Sequence, residues 1–433
     1  MKLIARNFLS VILYIILLCS CSPVSKHALN KVFVSVEKKF QEHAGFMLYD
    51  PATKKILYEY NGRKYFTPGS NTKIFTFFAC LNIIKDSIPG LKFITRGDSL
   101  IFEGTGDPSF LYKNVFNNSR TYDFLKNARQ QLYFSPANFQ TTHFGPGWAW
   151  DDYNDYYSTE RFGFPVYGNI FSILESGKNF KVTPGYFRKY LLIGDKAIRS
   201  KVTRRPESNQ IEFLPGNGTK EKVWDVPFKT DPLLITTLLT DTLSKEVLLD
   251  EMAFPPNAVT FYSTPADSLY RVMMQDSDNF IAEQLLLTCA GILSDTLKSE
   301  IAIDYVKKNF LSDSPDKPIW VDGSGLSRYN LFTPRSIVGV WEKIYKLVPQ
   351  QRLFSLLAIG GKTGTLRNWY KSDKPYIFGK TGTLSNNHCL SGYLVTKKGK
   401  TLIFSFMNNN FIASTGELRS NMQEVLMKIH ENY

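Results

Sequence analysis

Three short motifs carry the residue types of a serine-nucleophile site, and they fall in a fixed order: Ser70-Asn71-Thr72-Lys73, Ser277-Asp278-Asn279 and Lys380-Thr381-Gly382. A serine is a weak nucleophile until a base takes its proton. A lysine three residues on shares its helical face and reaches that hydroxyl. Such a lysine acts as a base only when burial or a second cation lowers its pKa. Lys380 would supply that cation. Each motif alone is common. Ser70 would then merely cap a helix, and Ser277-Asp278-Asn279 would be a capping turn. The ordered triple, each member in a suitable setting, is not common.

The elements that must position these residues are legible around them. Thr67-Pro68-Gly69 ends an extended stretch, and Ile74, Phe75, Phe77, Phe78 and Leu81 recur at helical spacing. Ser70 therefore sits near a helix N-terminus, where free N–H groups and the dipole favour a developing anion. Leu269, Val272, Met273 and Met274 precede the second motif, and Phe280, Ile281, Leu285, Leu286 and Leu287 follow it. The pattern predicts a helix starting after Thr264-Pro265, a short break at Ser277-Asp278-Asn279, and a second helix. From that break Ser277 could relay a proton and Asn279 could hold a substrate amide.

The third motif occurs twice. Gly361-Lys362-Thr363-Gly364-Thr365-Leu366 returns as Gly379-Lys380-Thr381-Gly382-Thr383-Leu384. The chemistry needs this lysine on a strand edging the cleft. Pro375-Tyr376-Ile377-Phe378 leads into the second copy, and Leu390–Val395, a Lys397–Lys400 turn and Thr401–Phe406 read as a hairpin after it. The second copy thus opens a three-strand meander, while the first runs into Arg367-Asn368-Trp369 and a polar loop. Lys380, not Lys362, is assigned to the site.

On these motifs the chain resembles the class C low-molecular-mass penicillin-binding proteins, the D-Ala-D-Ala carboxypeptidase/endopeptidase family. The likeness runs through most of the chain. It includes Phe46–Asp50 and Leu57–Asn61 ahead of Ser70, Gly104-Thr105-Gly106-Asp107-Pro108, Ser277–Glu283, Asp322-Gly323-Ser324-Gly325-Leu326-Ser327-Arg328, and Gly364-Thr365-Leu366-Arg367 just before the true Lys-Thr-Gly. The departure is that this last segment has itself become a Lys-Thr-Gly. The resemblance implies that Ser70 attacks the carbonyl between two D-alanines of a peptidoglycan stem peptide, with Lys73 as general base. It implies that Ser277 assists proton delivery to the leaving amine. The N–H groups of Ser70 and Thr383 would form the oxyanion hole. Lys380 and Thr381, with Gly382 beside them, would receive the terminal carboxylate, and Asn279 a substrate amide. Water would release the acyl-enzyme, and β-lactams would inhibit.

Two other functions use some of the same residues. A serine β-lactamase shares the first and third motifs but needs a fast deacylating water, which no feature of the sequence specifies. A non-catalytic, peptidoglycan-binding envelope lipoprotein would keep the fold and lose Ser70, Lys73 or Lys380, all of which are present.

The ends and the composition fit an envelope protein. Lys2 and Arg6 followed by the apolar run Phe8–Leu18 read as an export signal over residues 1–20. Leu18-Cys19-Ser20-Cys21 resembles a lipobox, with Cys21 lipidated, so an exported, periplasmic, membrane-anchored protein is expected. Cys80 and Cys289 fall on apolar helical faces and read as packing residues, and the odd count beyond Cys21 argues against a disulfide framework. None of the five His pairs at metal-ligand spacing, so neither metal nor cofactor is expected. The net charge of +13 is dispersed and, with an export signal, suits an anionic envelope surface rather than nucleic acid.

The expected fold is α/β (α+β): a penicillin-binding/serine β-lactamase-like domain, a sheet flanked by helices, made from residues 21–85 and 250–433. A mainly β domain, residues 86–249, is inserted between them. Gly216-Asn217-Gly218 and Gln210–Leu214 typify its turns and strands. Trp148-Ala149-Trp150-Asp151-Asp152 with Tyr153, Tyr156 and Tyr157 could line a peptide entrance, but is read here as a packed seam between domains.

Overall fold

The computed structural model describes residues 25–115, 119–177, 179–218, 220–255 and 257–433. The expected leader and Cys21 lie outside the described residues.

Helix α1 (Lys26–Phe40) is capped by Ser25, whose hydroxyl accepts from the Ala28 N–H at 3.2 Å. Leu29, Phe33, Val36 and Phe40 form its buried stripe. β1 (His43–Asp50) and β2 (Lys55–Tyr60) follow as an antiparallel pair. A tight turn over Gly69–Thr72 runs directly into α2 (Lys73–Ile83), which is enclosed from Lys73 to Cys80. A helix apolar on every side can only be a central one.

The middle of the chain then builds three small sheets. The first strands are β3 (Ser87–Arg96) and β4 (Ser99–Gly104), then helix α3 (Arg120–Asn127) and β5 (Gln131–Ser135). Next come β6 (Ile170–Ser176), β7 (Asn179–Thr183), β8 (Leu191–Ile193), β9 (Lys201–Arg204), β10 (Ile211–Leu214) and β11 (Lys222–Pro227). Helix α4 (Pro232–Leu243), β12 (Val247–Leu249) and β13 (Val259–Pro265) close the region. Among the described residues the strand orders are β12-β5-β4-β3-β13, β11-β6-β7 and β8-β10-β9. Phe102, Phe134, Phe164, Phe171, Phe187 and Phe213 belong to one core beneath them.

The chain returns through α5 (Ala266–Gln275), α6 (Asn279–Ser294), α7 (Ser299–Phe310), α8 (Pro334–Leu347) and α9 (Gln350–Leu356). It ends in β14 (Ala358–Ile359), β15 (Ile377–Leu384), β16 (Asn387–Val395), β17 (Thr401–Asn409) and α10 (Thr415–Asn432). These strands join the first pair in one antiparallel sheet, ordered β14-β15-β16-β17-β1-β2. One core packs α1 and α10 with the sheet through Phe33, Phe406, Leu418 and Leu426. A second packs α2, α6 and α8 with it through Phe75, Leu285, Trp341 and Tyr393. Covered on both faces, β1, β16 and β17 are buried along nearly their whole length.

This is an α+β chain with its main sheet flanked by helices. Two details differ from the sequence reading. β13 lies beyond residue 250, yet it hydrogen-bonds antiparallel to β3 and completes the sheet of the middle region. That middle region also holds two helices, α3 and α4, the latter opened by Asp231 accepting from the Leu234 N–H and by Pro232 in its first turn.

Candidate active site

Ser70 stands in the turn that feeds α2, and its hydroxyl lies 3.0 Å from Nζ of Lys73. Lys73 is fully buried. Its other contacts are Asn279 Oδ1 at 2.6 Å and the Ser324 carbonyl at 2.7 Å. Both are pure acceptors and take two of its N–H bonds, and the third points at Ser70 Oγ. Loss of that third proton turns the same direction into a lone pair that can accept from the Ser70 hydroxyl. Burial brings the Lys73 pKa down to about 8, against the pull of the Asp322, Glu283 and Asp278 carboxylates.

The second motif arrives as a break between helices. α5 ends at Gln275 and Asp278 caps α6, its carboxylate accepting from the Ile281 N–H. Between them Ser277 adopts φ +67, an unfavourable conformation for a serine. It aims Ser277 Oγ at Lys380 Nζ, 2.7 Å away. Lys380 comes from β15 and also donates to the Thr381 carbonyl at 2.8 Å. Burial, and then the charge of Lys73, push the Lys380 pKa well below the ordinary amine range. The sequence reading gave Lys380 the task of lowering Lys73. In the structure burial is the main cause at both lysines, and their mutual repulsion disfavours charging both together.

β15 reaches the nucleophile because Gly382 has no side chain: a Cβ there would lie 2.1 Å from the Pro68 carbonyl oxygen. Asn71 ties the two segments, donating to the Lys380 carbonyl at 2.9 Å and accepting from Ser391 Oγ at 2.6 Å. Thr381, Thr383, Ser70, Ser277 and Asn279 all face one cleft of about 850 Å³. The Thr383 hydroxyl meets His388 Nδ1 at 2.8 Å. Burial lowers the His388 pKa to about 3, so that ring is neutral. Lys362 of the first copy is exposed and stands outside the cleft lining. Among the described residues no cluster of His, Cys, Asp and Glu could hold a metal ion.

Several contacts of the site were not read from sequence. Asn279 is engaged at both ends, with Oδ1 on Lys73 and Nδ2 donating to the Tyr157 carbonyl at 2.9 Å. It braces the base, a task beyond the substrate amide that the sequence reading gave it. Asp322 organises the loop behind Lys73, accepting from the N–H groups of Gly325 and Ser327 and from Asn330 Nδ2 at 2.7–2.8 Å. The Trp148 indole donates to the same carboxylate at 3.0 Å. Glu283 accepts from the Ser324 N–H at 2.7 Å and pairs with Arg161 at 3.3 Å, both side chains buried. The run Asp322-Gly323-Ser324-Gly325 was the available signal for that loop. The Trp148–Tyr157 segment is corrected outright. Ala149, Asp151, Asp152, Tyr156 and Tyr157 line the cleft, and Trp150 and Tyr156 are 83% and 67% exposed, which a packed seam would not allow.

The profile of the D-Ala-D-Ala carboxypeptidase 3 (S13) family matches residues 27–183 and 231–432. The chain belongs to this family. It is 23% identical over 423 residues to D-alanyl-D-alanine carboxypeptidase DacB of Haemophilus influenzae, covering 87% of each chain. It is 24% identical to a D-alanyl-D-alanine carboxypeptidase of Actinomadura sp. strain R39, covering 84% of this chain and 77% of that one. In three dimensions it superposes on penicillin-binding protein 4 of Haemophilus influenzae with TM-score 0.76 at 20% identity, over 92% of this chain and 99% of the other. A predatory endopeptidase of Bdellovibrio bacteriovorus shares the fold more distantly, with TM-score 0.51 at 14% identity over 90% of this chain and 93% of that one. The S13 match leaves out residues 184–230, which hold β8 to β11.

Proposed function

We propose that this chain is a serine D-Ala-D-Ala carboxypeptidase that cleaves peptidoglycan stem peptides, with endopeptidase action where a cross-link enters the same cleft. The observation that carries the reading is the buried Lys73 amine, held by two acceptors with its Nζ 3.0 Å from the Ser70 hydroxyl. Ser70 Oγ attacks the carbonyl of the D-Ala-D-Ala bond as its proton passes to Lys73. The negative oxygen rests between the N–H groups of Ser70 and Thr383. The C–N bond then breaks, and the Ser277 hydroxyl, held by Lys380, relays to the leaving amine the proton that Lys73 took from Ser70, which leaves Lys73 neutral for the next step. The terminal carboxylate sits against Thr381 and Lys380, and its negative charge favours the protonated form of Lys380 that burial disfavours. Water then cleaves the Ser70 ester. A β-lactam enters as a substrate mimic and leaves an acyl group that departs slowly.

The protein works outside the cytoplasm in this reading, carried there by residues 1–20 and held at a membrane by lipid on Cys21. A catalytic unit from residues 21–85 and 250–433 carries the 86–249 insertion, whose Trp148–Tyr157 segment walls the cleft. Labelling with a fluorescent penicillin, followed by intact mass, tests the assignment. The wild type should carry one stable adduct and Ser70→Ala none. An adduct on Ser70→Ala would sink the nucleophile assignment. Rapid turnover of the adduct would favour the β-lactamase reading, and no adduct on folded wild type a binding role.

A further inference from the structure

The first copy of the repeated hexapeptide takes no part in the chemistry described so far, yet one of its residues enters the cleft. Thr381 Oγ1 donates to Thr365 Oγ1 at 2.8 Å, and Thr365 lines the cleft with it. The loop that delivers Thr365 is fixed on two sides. Gly364 has φ +58, and a Cβ there would lie 2.3 Å from the Gln275 carbonyl, so the loop lies directly on the end of α5. From α10, Arg419 donates to the Thr365 carbonyl at 3.0 Å and stacks over the Trp369 ring at 4.5 Å. Thr365 is thus held in place before any ligand arrives.

We propose that Thr365 is a positioning residue for the carboxylate-binding hydroxyl of Thr381, an inference that rests on the acyl-transfer reading above. With the cleft free, the Thr381 proton points to Thr365. When a carboxylate enters, that proton swings to the ligand and Thr365 donates its own proton to Thr381 Oγ1. Hydroxyl hydrogens rotate without movement of heavy atoms, so the exchange needs no rearrangement. The resulting chain, Thr365 to Thr381 to carboxylate, polarises the outer bond and strengthens it. The repeat is then a loop for presenting Thr365, and its lysine is incidental.

The test compares acylation by benzylpenicillin with acylation by its methyl ester, in which the carboxylate is masked. Full-length wild type, Thr365→Val and Thr365→Ser are used. Valine keeps the shape and removes the hydroxyl; serine keeps the hydroxyl. Thr365→Val should lower the second-order acylation rate about tenfold with benzylpenicillin and less than about twofold with the ester. Thr365→Ser should remain within about twofold of wild type on both. An equal loss on acid and ester would mean a general packing defect and would overturn the proposal, as would a valine variant that matches wild type. A wild type that is not acylated at all would overturn the acyl-transfer reading itself, and this inference with it.

Discussion

The two Gly-Lys-Thr-Gly-Thr-Leu segments are identical in sequence and opposite in fate. Residues 379–384 lie inside β15, paired through to β16 with Lys380 opposite Ser391 and Gly382 opposite Cys389. Residues 361–366 start just past β14, which is only Ala358–Ile359. Gly361 turns the chain at φ +70, and the segment folds into a tight turn over Gly364–Leu366. β14 runs antiparallel to β15, with Ala358 opposite Gly379 and Ile359 opposite Phe378. The first copy therefore leaves the sheet on the same edge on which the second copy enters it. One lysine is carried into a buried pocket, and the other is left in water. The sequence of a motif specifies what it can do; the pairing of its strand decides whether it does.

The comparison can be broken most directly at the lysines. Lys380→Ala should lower the rate of penicillin acylation by on the order of a hundredfold or more, since it removes a preorganised charge and the partner of Ser277. Lys362→Ala should stay within about twofold, as an exposed side chain away from the cleft. Comparable losses in the two variants, read by stopped-flow acylation, would end the argument from strand pairing. A pH series sharpens it. Lys73 is a base only when neutral, and its pKa is lowered to about 8. Acylation should thus rise with pH through about 8 and fall roughly tenfold per unit below it, in wild type and Lys362→Ala alike. A flat profile between pH 6 and pH 9 would remove Lys73 as the base. The smallest effect belongs to the turn itself. Gly364→Ala, with φ +58 and the Gln275 carbonyl in the way, should cost roughly 1–3 kcal/mol of stability by thermal or denaturant unfolding. An unchanged midpoint would show that the loop is not clamped on α5.

Much of the frame was readable from local pattern. The nucleophile helix, the break at Ser277-Asp278-Asn279 and the final meander are set by spacing and turn chemistry within a few residues, and local signals of that kind survive in a sequence. What was not readable depends on contacts across long separations. Asn279 was read as a ligand for substrate, and its contact with Tyr157, 122 positions away, left no local signal. The aromatic, acidic run at Trp148–Tyr157 has the composition of a seam and of a cleft wall equally, and only its exposure tells them apart. β13 reads as a lead-in to α5, while its partner β3 belongs to the far side of the insertion. Thr365 was hidden inside a repeat whose lysine drew the attention.

The main sheet closes through β1 and β17, which pair from His43 opposite Asn409 to Tyr49 opposite Ile403. Chains are made and threaded from the N-terminus, so β1 has no partner on that side until nearly the whole polypeptide has been delivered. Pairings of such high sequence separation form late and slowly. A chain built this way cannot complete its main sheet until β17, the last strand, reaches β1.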